Sequence, residues 1–304
     1  MLKRDVHRYL DLQRSMGFKF RIQSSLLKNF AAFAASHGDR FIKTSRAVAW
    51  AGYAPSAPQR HNRLATVRRC ALALHAEDTR HEIPPSDVYG RQWFKRTTPY
   101  LFTRQEIARL IEASRQLGPK DSIRPLTYAT LFGLSASTGL RISEALSLQL
   151  SDLTSDGLLI RATKFKKDRL VPLHASTRTA LQRYLAVRDK IPSIDTALFL
   201  SPAGTVPKYP TVIAVFLSLM RRLGLRGARG QPGPRLHDLR HGFAVRSLEH
   251  CRPDRPSIAR HMVGLSTYLG HAHVSDTYWY LQATPVLMRQ IADAGESMHR
   301  GDRT

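Results

Sequence analysis

Helical periodicity of the apolar residues is the feature that most limits the folds open to this chain. In residues 1–78, two groups of apolar side chains recur every three or four positions, the spacing that places them on one face of a helix. The groups are Leu26, Leu27, Phe30, Phe33 and Ala34, and Leu64, Val67, Cys70, Ala71 and Leu74. This first part of the chain is therefore predicted to form short amphipathic helices.

The same spacing continues through most of the remaining chain, with one interruption. The predicted helices cover 126–137, 175–188, 210–223, 237–250, 256–268 and 284–294. The interruption is a pair of β-like runs, GLLIRA at 157–162 and RLVPL at 169–173, on either side of the basic segment TKFKKD. The predicted fold class is mainly α with a small antiparallel β-sheet, an α+β arrangement.

A change of composition divides the chain. Residues 79–102 contain three prolines, one glycine and no clear period, which is typical of a linker. Thr103 and Glu106 then have the spacing of a capping box that opens a new helix. We therefore predict a helical domain over 1–95, a second domain over 100–296 and a short tail over 297–304.

The chain carries a large excess of positive charge along its whole length. It has 47 Lys and Arg against 23 Asp and Glu, a formal net charge of +24 and a pI near 10.9. This distribution favours nucleic acid over an anionic membrane, which is typically bound by a basic amphipathic helix or a dense basic cluster. The side chains predicted to contact DNA are Arg60, Arg63, Arg68, Arg161 and Arg169.

Cysteine and hydropathy patterns argue against several classes of protein. Cys70 and Cys251 lie far apart and form no C-x-x-C pair, which disfavours a disulfide framework and a zinc–cysteine site. The N-terminal stretch lacks the apolar region of a signal peptide, and no run approaches the roughly 18 apolar residues of a transmembrane helix. We therefore expect a cytoplasmic protein, associated with the nucleoid when it is bound to DNA.

Four stretches contain more polar chemistry than packing requires. They are STGLRISEAL at 137–146, the lysines of the segment between the β-like runs, HDLRH at 237–241 and HAHVSDTYWYL at 271–281. Each has an ordinary alternative: Arg141 could pair with Glu144 at i+3, the lysines could form a solvated tip, and the aromatic residues could pack a core. His237 and His241 have the spacing of two zinc ligands, but Arg240 on the same face would repel the cation.

Together, these stretches resemble the tyrosine recombinases of the phage integrase family. The motifs T-G-L-R-I-S-E-A-L, H-D-L-R-H-G-F, and L-G-H followed nine residues later by Tyr are weak singly and specific in combination. The resemblance covers roughly residues 100–290 as a catalytic domain, whereas residues 1–95 resemble the family's DNA core-binding domain only in position, size and charge. It implies a two-domain, site-specific DNA recombinase.

The resemblance also implies roles for the residues that match the family's motifs. Arg141 and Arg240 match the two arginines that clamp the phosphate, and Glu144 matches an acid that supports the first of them. The other implied catalytic residues are Lys164, His237, His271 and Tyr280. Lys164 lies eight residues before the proline of the V-P segment, but the residue after it departs from the family's usual glycine, so that Lys166 stays an alternative.

The implied chemistry needs neither a metal nor another cofactor. Tyr280 would attack a phosphodiester while His237 accepts its proton, Lys164 protonates the departing 5′-oxygen, and His271 hydrogen-bonds the phosphate. The resulting 3′-phosphotyrosine keeps the strand available for religation to another duplex. The implied partners are double-stranded recombination sites, further copies of the chain that assemble a tetramer on DNA, and accessory recombinases.

Several alternatives stay open at the level of the sequence. A type IB topoisomerase and a replicon-resolving recombinase share the tyrosine chemistry, and integration, excision and transposition of a mobile element all use it. A non-catalytic DNA-binding protein would explain the charge, and a metalloenzyme built on H-D-x-x-H would explain two histidines. Neither explains the whole motif set.

Two tyrosines compete for the role of nucleophile. Tyr278 and Tyr280 are two residues apart, so on a helix they point in nearly opposite directions and cannot both face one site. Tyr280 has the distance from His271 that the family requires. Tyr278 and Trp279 are predicted to pack and fix its direction, and His241 is predicted to be a structural or surface residue.

Overall fold

The computed structural model of the protein describes residues 1–90, 98–161, 168–193, 195–251, 255–271, 273–282 and 289. The chain forms two compact units, Met1–Arg96 and Thr97–Thr304. None of the helices in these described segments is both long and apolar enough to cross a membrane. The predicted helix at 284–294, apart from residue 289, and the predicted tail at 297–304 lie outside the described residues.

The first unit is a bundle of helices around one apolar core. Its helices are α1 (Leu2–Ser15), α2 (Arg21–Ser36), α3 (Thr44–Gly52) and α4 (Ala57–His75). The periodic residues behave as predicted: Leu27, Phe30 and Ala34 of α2 are buried, and so are all five of the set in α4. Trp50 of α3 packs edge-on against Phe30, with ring centroids 5.4 Å apart. Burial of these apolar stripes stabilises the bundle.

The second unit is mainly helical, as predicted. Its helices are α5 (Arg104–Arg115), α6 (Arg124–Thr138), α7 (Ile142–Ser147), α8 (Ala175–Arg188), α9 (Tyr209–Arg222), α10 (Asp238–Glu249), α11 (Arg255–Leu269) and α12 (Ser275–Gln282). The predicted capping box is present, because the Thr103 hydroxyl accepts from the Glu106 backbone N–H at 3.1 Å and the Glu106 carboxylate accepts from the Thr103 N–H at 2.8 Å.

The two β-like runs form a small antiparallel sheet. β1 (Leu158–Ile160) pairs with β2 (Arg169–Val171), and Ile160 lies opposite Arg169. The pairing places Arg169 beside β1, at the base of the predicted hairpin. The segment 162–167, which contains Lys164 and Lys166, lies outside the described residues.

Helix α6 is the central element of the second unit, and its C-terminal end leads into the first arginine motif. It is apolar on most sides and buries eleven of its residues, as expected of a helix surrounded by other helices. Phe132 of α6 packs edge-on against Phe216 of α9, with ring centroids 5.6 Å apart. Helices α5, α8 and α10 also pack against α6.

Candidate active site

The C-terminal end of α6 brings the first arginine motif into a crowded junction. Gly139 ends the helix with φ +64°, a left-handed conformation that glycine adopts without the steric cost of a Cβ. A Cβ at this position would lie 2.6 Å from Cδ1 of Phe243 and 3.1 Å from Cδ2 of Leu269. Glycine therefore allows both the turn and the close approach of α10 and α11, and Arg141 follows it at the start of α7.

Arg240 joins this junction from α10. Its side chain is almost fully buried, with 2% of the residue exposed. Nη1 donates to the Gly139 carbonyl at 2.8 Å, and Nη2 donates to the Leu269 carbonyl at 2.7 Å. Burial and the charge of Arg141 lower the pKa of Arg240 to about 10, so the guanidinium remains charged at neutral pH.

The C-terminal end of α11 gathers three arginines. Arg169 Nε donates to the Tyr268 carbonyl at 2.8 Å, Arg240 holds the carbonyl of Leu269, and Arg141 Nη2 donates to the Gly270 carbonyl at 3.3 Å. Helix C-terminal carbonyls lack partners within the helix and carry partial negative charge, which guanidinium groups complement. This helix end is therefore the common anchor of three side chains from three distant segments.

Gly270, the glycine of the L-G-H motif, makes this arrangement possible. Its φ of +65° places it in the left-handed region after the last residue of α11. A Cβ here would lie 2.7 Å from Nη1 of Arg169. The motif's glycine thus leaves room for a charged side chain as well as ending the helix.

Glu144 links two of the three arginines. Its carboxylate accepts from Arg141 Nη1 at 2.8 Å and from the Arg141 backbone N–H at 3.0 Å, and it accepts from Arg169 Nη2 at 2.8 Å and Nη1 at 3.2 Å. Burial opposes ionisation of Glu144, but the hydrogen bonds and charge of Arg169, and then those of Arg141, outweigh it and hold its pKa below the usual range. The predicted i+3 pairing of Glu144 with Arg141 is confirmed.

Tyr280 lies beside this cluster in α12. The residue is only 3% exposed, and its ring packs with Leu265, Leu269 and other apolar residues of α10 and α11. The side chain of Arg240 is close enough to hydrogen-bond the phenol and to lower its pKa, as does the charge of Arg141, although burial is the larger influence and the pKa stays raised. Tyr280 is therefore a neutral phenol next to two guanidiniums.

Histidine rings line up on both sides of Tyr280. The His237 and His241 rings meet edge-on with centroids 4.6 Å apart, and the His241 ring lies 5.5 Å from that of Tyr280. On the other side, the His271 ring stacks on Tyr280 at 6.0 Å, and its Nδ1 lies 2.6 Å from Oγ1 of buried Thr277. The hydroxyl oxygen of Tyr280 lies 3.3 Å from Nδ1 of His241.

Desolvation and positive charge keep these rings neutral, although His237 retains an exposed surface. Desolvation, Arg240 and Arg141 lower the pKa of His237 and of His271 to about 4. Desolvation and the neighbouring His237 lower the pKa of His241 to about 3. At neutral pH the site therefore holds fixed positive charge on arginines, together with neutral imidazoles that can accept protons.

The structure brings five of the implied catalytic residues together: Arg141, His237, Arg240, His271 and Tyr280. Lys164, and its alternative Lys166, fall outside the described residues. Sequence reasoning misses the interaction of His241 with Tyr280, because it predicts only a structural or surface role for His241. The signal is present in the sequence, since His237, Arg240 and His241 share one helical face.

Two other expectations differ from the structure. Tyr278 is 55% exposed, so the prediction that it packs to direct Tyr280 is wrong; α12 turns that side chain to solvent, as the two-residue spacing requires. The side chain of Trp279 lies outside the described part of the chain. Arg169 is predicted to contact DNA, yet its side chain is only 10% exposed and its hydrogen bonds go to Glu144 and the end of α11. Its observed contacts hold the site together.

The remaining predicted DNA contacts occupy more open positions. Arg161 is 55% exposed at its side chain and pairs with Asp152. Arg60, Arg63 and Arg68 on α4 are half-buried and donate to main-chain carbonyls within the first unit. Their contact with DNA stays a prediction.

Comparisons with known proteins identify the family of the chain. The sequence model of the phage integrase family matches residues 101–285. The chain is 40% identical over 295 residues, 94% of each protein, to y4rB of Sinorhizobium fredii (strain NBRC 101917 / NGR234), which is named as an integrase/recombinase. It is 30% identical over 236 residues to the tyrosine recombinase XerD of Brucella abortus (biovar 1, strain 9-941), covering 75% of this chain and 72% of that one.

A solved integrase structure has a similar fold. A crystal structure of a lambda integrase dimer bound to a COC′ core site superposes with a TM-score of 0.64 at 18% identity, covering 92% of this chain and 76% of the integrase. Tyr280, beside two buried or half-buried arginines and three histidines, lies within the family match. The chain belongs to the phage integrase family and is a tyrosine recombinase, an enzyme that cuts and rejoins DNA strands in site-specific recombination.

Proposed function

We propose that Tyr280 is the nucleophile of this recombinase and that Arg141 and Arg240 clamp the scissile phosphate. One observation carries this assignment: a single tyrosine hydroxyl is buried beside two guanidiniums, within hydrogen-bonding reach of a neutral imidazole. Tyr278, two residues earlier, has an exposed side chain.

The chemistry follows from charge. A phosphodiester repels an attacking oxyanion, and the pentavalent transition state concentrates negative charge on the non-bridging oxygens. Two planar guanidiniums, fixed in advance by Glu144 and by the carbonyls at the end of α11, stabilise that charge without reorganising. The phenol must also lose its proton, and neutral imidazoles stand beside it; the family resemblance assigns this task to His237.

The general acid is proposed from the family resemblance alone. Lys164 would protonate the 5′-oxygen as the phosphorus–oxygen bond breaks, which leaves a 5′-hydroxyl and a 3′-phosphotyrosine. A 5′-hydroxyl from another strand can then attack the phosphotyrosine and release Tyr280. Bond energy is conserved throughout, because one phosphoester is exchanged for another.

The proposed partners are double-stranded recombination sites and further copies of the chain. Related solved structures include an XerH recombinase bound to a palindromic difH substrate and a lambda integrase tetramer bound to a Holliday junction. Exchange between two duplexes requires four cleavages, so we propose that four protomers assemble on DNA within the cytoplasm, at the nucleoid. The integrase/recombinase y4rB, similar over 94% of the chain, supports a role in moving a DNA element.

Covalent capture from unselected DNA tests the proposal and finds the recombination site in the same experiment. Fragmented genomic DNA from the source organism is incubated with the protein, denatured with detergent, and the fragments that stay attached are sequenced. The wild type and Tyr278→Phe are expected to retain the same fragments, whereas Tyr280→Phe retains none but still binds DNA. An adduct formed by Tyr280→Phe would overturn the assignment.

A modified substrate tests the general acid. In a substrate with a 5′-bridging phosphorothiolate the leaving group is a thiolate, which departs without a proton. This substrate is expected to restore cleavage to Lys164→Ala, because the thiolate leaves without a proton from a general acid. It is not expected to restore cleavage to Arg141→Ala, because the phosphate still needs the positive charge of the guanidinium. Rescue of Lys166→Ala in place of Lys164→Ala would move the acid to Lys166.

A further inference from the structure

The second histidine of H-D-L-R-H, His241, contacts the oxygen that attacks the phosphate. Oη of Tyr280 lies 3.3 Å from Nδ1 of His241, and the two rings are tilted by 55°. Both partners are held firmly: His241 is the fourth residue of α10, and the Tyr280 ring packs against the apolar residues of α10 and α11. The contact is therefore formed by two residues that are each held by helix packing, in a partly buried region of the site.

We propose that His241 takes the proton of Tyr280 during strand cleavage and returns it during religation. The proposal rests on the role of Tyr280 as nucleophile. In cleavage the O–H bond of Tyr280 breaks, its proton passes to Nδ1 of His241, and the phenolate oxygen bonds to phosphorus. The phosphorus–O5′ bond breaks in the same step, and the 5′-oxygen takes a proton from the general acid. Religation reverses each transfer.

The position of His237 suits another task. It lies one helical turn before His241, its ring meets that of His241 edge-on, and it keeps an exposed surface. An exposed imidazole beside the charges of Arg141 and Arg240 is open to a phosphate entering the site. His237 would then bind the phosphate, while His241, behind it, receives the proton.

The groups around His241 explain when it becomes a base. Arg235 and His237 face it from the segment before α10, Arg240 from α10 itself, and His271 and Tyr280 from beyond α11. Burial and the positive members of this set lower the pKa of His241, so that the ring is neutral and can accept a hydrogen bond. A bound phosphodiester adds negative charge, which offsets the arginines and raises the basicity of His241 only once DNA is in place.

The test measures how much the loss of His241 slows cleavage, with a nucleophile of ordinary acidity and with a more acidic one. Adduct formation is measured in a single turnover, at saturating concentrations of a nicked form of the captured site. His241→Ala is expected to slow the reaction by on the order of a hundredfold. When Tyr280 is replaced by a fluorinated tyrosine, whose phenol ionises without help, that penalty is expected to shrink strongly. Arg240→Lys should keep its full penalty in both backgrounds.

Two further variants separate proton transfer from orientation and from folding. His241→Asn keeps a hydrogen-bonding group near Nδ1 but cannot take a proton, so it is expected to remain slow and to lose the acid limb of the pH–rate profile. His237→Ala is expected to show no rescue by the fluorinated tyrosine. Rescue itself demonstrates that the His241→Ala protein is folded.

Opposite results would overturn the inference and leave the proposed function standing. If His241→Ala cleaves at the wild-type rate, or His241→Asn restores the rate, His241 is not the proton acceptor. If fluorinated tyrosine rescues His237→Ala but not His241→Ala, the acceptor is His237. The proposed function itself fails only on the separate result that Tyr280→Phe forms an adduct.

Discussion

Two groups of arginines in this molecule donate to main-chain carbonyls, with different consequences. On α4, Arg60 donates to Ala54, Arg63 to Trp50 and Arg68 to Pro84, each at most 16 positions away along the chain. In the second unit, the arginines that meet at α11 also make contacts across about a hundred positions: 101 from Arg240 to Gly139, 99 from Arg169 to Tyr268 and 129 from Arg141 to Gly270.

The two groups differ in whether their arginines share hydrogen-bond partners. The α4 arginines each hold a separate carbonyl and keep part of their surface open, so they can act one by one on a phosphate backbone. In the second unit, Arg141 and Arg169 share Glu144, and all three arginines share the end of α11, so their positions depend on each other. Distant contacts convert ordinary basic residues into a preorganised site. Substitutions in the two groups should therefore differ in kind as well as in size.

The largest expected effect comes from Arg240→Lys. A lysine cannot hold the carbonyls of Gly139 and Leu269 together and still face the phosphate, so adduct formation should fall by on the order of a hundredfold or more. Single-turnover cleavage measures the loss. The matched control is Arg246→Lys on the same helix, because Arg246 also donates to two carbonyls but belongs to no part of the proposed site. If both variants lost cleavage activity equally, the special role of Arg240 in the site would be contradicted.

The second prediction compares a glutamate that pairs with a buried arginine with a glutamate that pairs with an exposed one. Glu144→Gln leaves Arg169 buried without its counter-charge, and removing one partner of a buried pair typically costs about 3–5 kcal/mol. Glu112→Gln removes the partner of exposed Arg115 and should leave stability unchanged. Denaturant unfolding of the isolated protein measures both. Equal free energies of unfolding for the two variants would show that the ion pairs of Glu144 stabilise the fold no more than an exposed pair does.

The third prediction concerns acid. The folded-state pKa values of His237 and His271 lie near 4 and that of His241 near 3, all below the ordinary value of about 6.5. Between pH 6.5 and 4 the unfolded chain binds more protons than the folded one, so stability present above pH 6.5 should fall as the pH drops through this window. His241→Asn should reduce the slope of the free energy of unfolding against pH by the equivalent of up to one bound proton. An unchanged slope would contradict burial of a neutral His241.

The smallest effects are expected on α4. Arg60→Gln, Arg63→Gln and Arg68→Gln should each weaken DNA binding and flatten the dependence of log affinity on log salt by about 1 for each phosphate that the variant no longer binds. Cleavage by fully bound protein should be unaffected. Affinity measured over a series of salt concentrations checks this. A fall in cleavage at saturation would mean that these arginines also act at a distance on the site.

Much of the fold could be predicted because its information is local. The 3.6-residue period places Phe30 and Leu74 in the core, the β-like runs pair as expected, and Thr103 with Glu106 caps a helix; each depends on residues within a few positions. The pairing of Arg141 with Glu144 is of the same kind. Helical spacing also indicated that Tyr278 and Tyr280 point in different directions, whereas the choice of Tyr280 as nucleophile came from the family resemblance.

The sequence by itself determined the helical class, the family and the residue types available for catalysis. Tertiary structure alone decided that Arg169 supports Glu144, that the end of α11 gathers three guanidiniums, and that His241 meets the Tyr280 hydroxyl. The physical reason is distance along the chain. Periodicity fixes the face on which a side chain lies, but packing between helices tens of residues apart sets which atoms come within hydrogen-bonding reach.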